Sequence, residues 1–516
     1  MDDAVADALR LSMTILVEAA YRDGLARLDG TRLTIGDPSG PRVVATGCEA
    51  LPFARLRVAG PIVAGDVPLG SAEAFLAALD DALTAQLKPR QRDRLRELFT
   101  DSLANLTQNL LLAGGPAAQE PAEGHATGHN VYPFRAYRPG LDCAELESWS
   151  NFRAPAQLAL FRFAEVRQYG EGPAADDLIA RAVGGGPAVL PVHPWHLRRS
   201  PVVRAAIADG RLRPLGRSVP VTPLLSLRTV RCGPAGPHVK LPLDMRTTSQ
   251  RRLLPAHRVR NAPGISALVR AVMAESPGGP ADIQDDVASL AHPHDDAVAA
   301  HLGAIFRRPV DRPGHVVLAA TDLWTAEAAG PLRVCDLALT GPALADCCVA
   351  YLTQALQLPL LLYVRYGLLH CSHLQNCVVL LRPSAPGLPA LVFRDLDALR
   401  VSGPQAAEAR RLVDGIGASV GPDFWDQNPE VNLDRRFANI LMDVHVGEVV
   451  KRCLAAGMPM RQARDCVRTA WRTATASLTE PAERRRLLRI YRAVGGTLRY
   501  PQSVPAARVQ DILTGL

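Results

Sequence analysis

The stretch HCSHLQNCVVLL, residues 370–381, places two histidines and two cysteines within eight positions. His370, Cys371, His373 and Cys377 are zinc-binding residue types, but closed zinc sites pair C-x2–4-C with H-x3–5-H across a loop. That spacing is absent here. Cys377 opens an uninterrupted apolar run, CVVLL, which reads as a buried strand, and a cysteine there packs as a small hydrophobe. Zinc is therefore not expected. The polar residues between, His373, Gln375 and Asn376, are better placed for chemistry. RPSAPGLP then reads as a turn, and ALVFRDLDAL as a second strand whose end carries Asp395 and Asp397. A hairpin sets strand ends side by side, so Asn376 and Asp395 converge as an amide oxygen and a carboxylate. Such an oxygen-only pair suits Mg2+ holding nucleotide phosphates and parallels the Asn and Asp that share the metals in kinases. A surface turn with capping side chains is the plainer alternative.

Phosphates also require cations. SLRTV (226–230) and HVKLPLDMRTTSQRR (238–252) supply Ser226, Arg228, Thr229, Lys240 and Arg252. If RCGPAGP between them is a hairpin connection, Arg228 and Lys240 lie at like parity and face one cleft. Arginine presents a planar fork to phosphate or carboxylate, and lysine a point charge. Arg246 and Arg251 read as exposed strand positions. In VHPWH (192–196), Trp195 reads as a core anchor, and His193 and His196 as residues that end a strand.

The elements that must hold these residues follow from the rest of the chain. Its 516 residues exceed one core, so two to four domains are expected. A composition of 48% hydrophobic and 21% charged residues is that of an ordinary globular protein. A net charge of +7 suits anionic small molecules. Aromatic residues are only 5%, and no basic stripe interleaved with aromatics appears, so nucleic acid is not an expected partner. Ten scattered cysteines show no disulfide framework, and reduced thiols in a cytoplasm are the default. The N-terminus MDDAVADALRLS lacks a secretory n-region. The apolar stretch 351–370 contains Gln354, Gln357, Pro359 and Arg365 and reads as a buried core helix rather than a membrane span.

Residues 1–112 read mainly as helices and 113–128 as a linker rich in Gly, Pro, Ala and Glu. Short β-like runs follow to about 343, interrupted by a Pro/Gly/Asp-rich stretch, 276–297, that reads as a mobile insertion. From 344 the order is helix, strand, hairpin, strand and helical tail. The division is thus a helical N-terminal part (1–125), a β-rich middle (126–343) and a third part (344–516).

In order along the chain, GHNVYPFRAYRPG (128–140), LPVHPWH, SLRT, the Lys240/Arg252 pair, CSHLQN and FRDLDAL resemble the signatures of the NRPS-independent siderophore (NIS) synthetases, the IucA/IucC superfamily. The resemblance implies an α+β multidomain, cupped-hand fold: a helical thumb, β-rich fingers and a kinase-like palm. It implies a ligase that adenylates a carboxylate, citrate or a citryl derivative, with Mg-ATP, releases pyrophosphate, and lets an amine or alcohol displace AMP in the biosynthesis of a siderophore or related metabolite. By resemblance His129, Ser226, Arg228, Thr229 and Lys240 contact ATP. Arg252 and His373 meet the carboxylate and the reacting phosphate, and Asn376 and Asp395 hold Mg2+. The resemblance also allows a homodimer.

Departures bear on activity. Cys371 stands where the family has a metal-binding Glu, and a thiol is a poor ligand for a hard cation. Tyr132, Asn130 and Ala136 replace the second His, the Pro and the Lys of the first signature. His196 replaces a Gln, and Arg499 is the only counterpart offered for a C-terminal Lys. A second reading is therefore a catalytically weakened homologue that binds nucleotide or carboxylate as a partner subunit. A third, from the Asn…Asp layout, is a kinase-like phosphotransferase.

Overall fold

A computed structural model describes residues 2–22, 24–37, 39–53, 55–114, 132–152, 155–247, 251–275, 281–324, 332–334, 337–382, 390–401, 406–425 and 433–493. The linker expected at 113–128 falls almost wholly outside these residues, as do His129, Asn130 and Arg499.

The N-terminal part pairs long helices, Asp2–Arg22 and Pro89–Gly114, with a five-stranded antiparallel sheet built from strands between Ala26 and Pro68. The reading of residues 1–112 as mainly helical missed these strands. Their signal was local. Asp29-Gly30 sits at a tight hairpin in which Asp29 pairs with Arg32, Gly30 adopts φ 57°, and Leu33 and Ile35 alternate inward. A D-G pair flanked by alternating apolar residues is a hairpin pattern, and its shortness let the surrounding helical periodicity dominate.

The middle part is an eight-stranded sheet in the spatial order Val189–Val192, Ala156–Phe163, Leu212–Pro223, Thr229–Arg231, His238–Lys240, Ala304–Arg307, Asp286–Ala291 and Arg167–Tyr169, all neighbours antiparallel. Residues 281–291 are not an insertion. Asp282–Ile283 pairs in parallel with Val392–Phe393 of a second, four-stranded sheet, and Asp286–Ala291 then enters the eight-stranded one. The Pro, Gly and Asp content of 276–297 concealed the buried run DVASLA. This segment stitches the two sheets together: Gln284 N donates to Phe393 O (2.7 Å), and its side chain meets His238 Nδ1 (3.0 Å).

The second sheet also contains Val316–Ala319, Cys377–Leu381 and Ala390–Phe393. Cys377 does open a fully buried strand. Behind it runs helix Gly341–Tyr366, which begins earlier than the apolar stretch suggested and ends at Gly367 in a left-handed conformation. This helix is long and apolar enough to cross a membrane, but 78% of its apolar window is buried inside the protein. It packs on helix Met460–Thr475. Between lies a π-helical segment, Asn439–Val446, that continues into helix Gly447–Ala455.

Buried charge joins the N-terminal part to this last region. Arg55, 1% exposed, pairs with Glu18 (Nε–Oε1, 3.1 Å) and with Glu448; Lys451 adds a contact to Glu18 (2.6 Å) and Arg452 one to Glu448 (2.7 Å). Gly447 permits the approach, since a Cβ there would lie 2.9 Å from Phe53 Cβ and 3.2 Å from Arg55 Cγ. Burial alone would raise the Glu448 carboxyl, but Arg452, Arg55 and Lys451 outweigh it and hold the group well below the ordinary carboxylate range. Removing one partner of a buried pair strands the other charge at a cost of about 3–5 kcal/mol. Arg55→Met should lower unfolding stability by about that amount in denaturant titrations; a loss under about 1 kcal/mol, the range of exposed pairs, would show that this cluster does not hold the two regions together.

Candidate active site

The eight-stranded sheet, the four-stranded sheet and the N-terminal helices enclose a cavity of about 400 Å³, within the usual range for small-molecule sites. Eight of the nine residues singled out from sequence are described, and all eight line it: Ser226, Arg228, Thr229, Lys240, Arg252, His373, Asn376 and Asp395. His129 lies outside the described residues. The arrangement is thus brought together by the fold, from segments up to 169 positions apart (226 to 395).

The phosphate-side candidates Ser226, Arg228 and Thr229 sit in and just after a hairpin turn. Strand Leu212–Pro223 ends, Leu227 takes φ 60°, and Thr229–Arg231 returns antiparallel beside it, with Thr222 opposite Arg231. Residues with side chains in this left-handed region cost of order 1–3 kcal/mol and cluster at functional sites. Here the cost is offset by burying Leu227 against Trp195, Leu243 and Met245. Ser226 Oγ donates to Thr229 Oγ1 (3.0 Å). The parity argument for Arg228 and Lys240 needs correction: the ladder pairs Lys240 with Thr229, not with Arg228. Arg228 reaches the cavity because the Leu227 kink turns it there, where its Nη1 donates to the carbonyls of Arg252 (2.8 Å) and Leu253 (3.2 Å). Burial, with Arg252 nearby, pushes Arg228 down to about 10.

The other half sits on the hairpin. Cys377 pairs with Phe393, and Arg394 N donates to Asn376 O (3.0 Å), so Asn376 and Asp395 do meet at one sheet end. Asn376 Nδ2 donates to Cys371 O (2.9 Å), which leaves its amide oxygen as the group available to a cation. Asp395 has φ 64° and is gripped by two cations, Lys240 Nζ at 3.2 Å and Arg307 Nη2 at 2.5 Å. Behind it Asp397 takes Lys240 at 2.7 Å and Arg307 at 3.1 Å, and Asp286 takes Arg307 Nε at 2.7 Å. Burial would raise Asp395, but Arg307 and Lys240 hold it well below the ordinary carboxylate range. Asp286, with burial foremost, is pushed up to about 6.

Arg307 was not found from sequence. Its signal was faint, one arginine in the buried strand AIFR, where a charge demands a partner. Arg22, Arg135, Arg138 and Arg436 also line the cavity without having been singled out. Burial pushes Arg135 and Arg138 down to about 10. Among the described lining residues the acids are Asp395 and Asp443, against Lys240 and many arginines. The cavity is built for a polyanion.

The histidines divide clearly. His193 caps a short helix and stacks on Trp149 (4.0 Å between ring centroids). His196 Nε2 donates to His301 O (3.0 Å) and its Nδ1 accepts from Asp244 N (3.1 Å). Both are structural, and Trp195 is a core residue, as VHPWH suggested. His370 Nε2 donates to Arg394 O (2.8 Å) and its Nδ1 accepts from Ser372 Oγ (2.9 Å), which locks the turn before Asn376. No cluster of three His, Cys, Asp or Glu with metal-binding geometry occurs among the described residues. Cys371 is half-buried and lines the cavity.

Burial pushes His193, His238 and His373 down to about 3, and His196 and His445 to about 4. Their folded values lie below the unfolded value near 6.5, so the stability they contribute is present above that pH and is lost as pH falls toward 4. Each such group can cost about 1.4 kcal/mol per pH unit. Denaturant unfolding between neutral pH and about pH 5 should show a steep loss of stability, and a flat profile would mean that these rings are not held neutral.

Comparison with known proteins agrees with this architecture. Residues 119–328 match the model of the IucA / IucC family. The fold is that of the petrobactin biosynthesis protein AsbB from Bacillus anthracis, with a TM-score of 0.78 over 98% of this chain and 94% of that one at 17% identity. ATP-bound aerobactin synthetase IucA from Klebsiella pneumoniae gives 0.73 over 94% and 96% at 18% identity, and IucC from the same organism 0.72 over 95% and 94% at 18%. An uncharacterized protein of Sinorhizobium fredii, y4xN, is 27% identical; the match covers 63% of this chain and 58% of that protein's length. The chain thus carries a segment, 119–328, that matches the IucA / IucC family model, within the mixed α+β fold of these solved structures.

Proposed function

We infer that the chain is an ATP-dependent ligase of siderophore-type biosynthesis that adenylates a carboxylate, citrate or a citryl derivative, and condenses it with an amine or alcohol. The observation that carries this reading is the single cavity in which Arg228, Lys240, Arg252, His373, Asn376 and Asp395 meet in a strongly cationic lining. A solved relative in fold is described as ATP-bound, which supports nucleotide as one occupant. Residues 1–125, 126–343 and 344–516 act in this reading as thumb, fingers and palm. A cytoplasmic setting and a homodimer go with it.

Ser226, Arg228, Thr229 and Lys240, with His129, take the nucleotide phosphates; Arg252 and His373 orient the acid. In-line attack of a carboxylate on the α-phosphate brings two anions together, and fixed cations in a water-poor cavity lower that barrier without reorganising. His373 is held neutral at physiological pH, since burial keeps it at about 3, so it contributes a hydrogen bond rather than a charge. Asp395 and the Asn376 amide oxygen fit Mg2+, which accepts one carboxylate, an amide oxygen, waters and substrate phosphates. A Mg2+ held by Asp395 and Asn376 would supply neutralisation of phosphate charge. Cys371 does not fit that donor set.

Acid-dependent ATP turnover should yield AMP and pyrophosphate. ADP and inorganic phosphate as the products would favour the kinase-like reading, and tight nucleotide binding with no turnover the partner-subunit reading. Arg228→Ala should cost about 3 kcal/mol of transition-state stabilisation, the size of one preorganised electrostatic group, read as kcat/KM for ATP; an unchanged kcat/KM would remove Arg228 from the phosphate site.

Cys371→Glu tests the metal placement. With its side chain on the cavity, the added carboxylate should lower the Mg2+ concentration needed for half-maximal ATP binding by calorimetry, at unchanged thermal stability. Asp395→Ala should raise it. If position 371 instead packs inward, the new charge is buried without a partner and the variant melts early; an unshifted Mg2+ dependence would likewise refute the placement.

A further inference from the structure

Asp443 is the cavity's second acid, and the adenylation chemistry leaves it unused. It is 2% exposed and stands on the π-helical segment Asn439–Val446. Such segments displace one residue from helical register and recur at functional sites. Asp443 Oδ2 accepts a hydrogen bond from Asn439 Nδ2 (2.9 Å), while Oδ1 has no hydrogen-bond partner among the described residues. A buried carboxylate oxygen left in this state is costly unless a ligand completes it. Asp395, by contrast, has Lys240 and Arg307 on its Oδ1 and is committed to Mg2+ in the ligase reading.

The position relative to the carboxylate side is also fixed. Two residues on, His445 Nδ1 donates to Ser372 O (2.5 Å) and its Nε2 accepts from Tyr351 OH (2.7 Å). The segment bearing Asp443 is thus pinned to the residue beside His373. From the N-terminal side, Arg22 and Arg55 act on Asp443 through their charge, and Arg22 lines the same cavity.

The geometry points to Asp443 as the seat of the nucleophile's amino group, with Asn439 holding the carboxylate in orientation. This rests on the ligase reading and narrows it from amine or alcohol to a primary amine. An ammonium group entering a cavity lined by arginines is repelled except at an acid that can accept from it. Among the described lining residues Asp443 offers such an acceptor in Oδ1, on the segment pinned beside His373. An alcohol would gain nothing from it that a neutral acceptor could not supply. Burial holds the Asp443 carboxyl well above the ordinary carboxylate range, with Arg22 and Arg55 pulling it back, so its carboxylate can take the proton the ammonium must lose before the nitrogen bonds the acyl carbon and AMP departs.

The test separates the two halves of the reaction in the full-length enzyme. Exchange of pyrophosphate into ATP with citrate or succinate reports adenylation. Trapping with hydroxylamine, uncharged at neutral pH, reports the activated acyl group. Amide formation with 1,4-diaminobutane, ethanolamine and L-lysine reports the amine site. Asp443→Asn, which keeps shape and the Asn439 contact, should reduce amide formation about a hundredfold more than it reduces exchange or hydroxamate formation, the effect of a lost buried charge pair. Asp443→Glu should recover part of the loss as a changed KM for amine at unchanged KM for ATP, and this variant carries the test if the Asn variant does not fold. Equal losses in all three assays, or wild-type ester formation from 1,4-butanediol outrunning amide formation, would overturn the inference. Absence of exchange in the wild type would overturn the ligase reading instead. Calorimetric binding of 1,4-diaminobutane, present in the wild type and lost in Asp443→Asn, then decides the amine seat alone; equal binding by both would refute it.

Discussion

Two cations and three carboxylates share one buried cluster, and the geometry of the site depends on their pairing. Lys240 and Arg307 stand on neighbouring strands of the eight-stranded sheet; Asp286 stands on the next strand; Asp395 and Asp397 follow the last strand of the four-stranded sheet. Burying any one of these charges alone would be prohibitive, so the two sheets can close only where every charge finds its opposite. That condition sets the distance between the sheets more sharply than apolar packing, which tolerates small shifts. It also holds Asp395 in a left-handed conformation that an unrestrained aspartate would leave.

This arrangement separates structural from functional charge. Asp397 and Asp286 are sealed, 2% and 1% exposed, and act on the cations behind the cavity wall. Asp395 and Lys240 are the members that line the cavity, together with Arg307. Their mutual pairing fixes them in place, which is what electrostatic preorganisation requires. Around them burial lowers Arg135, Arg138 and Arg228 to about 10, with Arg452 adding to the effect at Arg135 and Arg252 at Arg228. An unliganded cavity of this kind is under electrostatic stress that a polyanion relieves.

The wall opposite the sheets is contributed by the N-terminal helices, and its attachment is again ionic. Arg55 between Glu18 and Glu448, with Gly447 allowing the Phe53 and Arg55 side chains to approach, joins it to the helical region that carries the π-helical turn. The three non-glycine residues with left-handed backbone among the described residues, Phe53, Leu227 and Asp395, thus fall at this junction, at the turn between Leu212–Pro223 and Thr229–Arg231, and at the end of the second hairpin. Strain sits where segments of the chain are brought against each other.

Much of the site was legible because its chemistry is local. Ser226, Arg228 and Thr229 share one turn; His373 and Asn376 share another; the strand after Asn376 and the hairpin that returns to Asp395 follow from apolar runs and turn residues. Motif order along the chain carried the fold as well. What the sequence could not decide are relations that exist only across the fold. Arg307 looks like any arginine in a strand until Asp286, Asp395 and Asp397 surround it. The N-terminal sheet was hidden because its strands are only two to five residues long, too short for a period of two to outweigh the flanking helices. Residues 281–291 read as an insertion because Pro, Gly and Asp dominate a local window, whereas their burial comes from two sheets closing on them. The parity of Arg228 with Lys240 failed for the same reason: a ladder register is set by both strands, and the Leu227 kink that changes it is stabilised by Trp195, Leu243 and Met245 from elsewhere in the chain. The chain alone determined which residues could do the chemistry; tertiary structure decided which charges neutralise one another and which are left facing the cavity, because that depends on distances no linear spacing encodes.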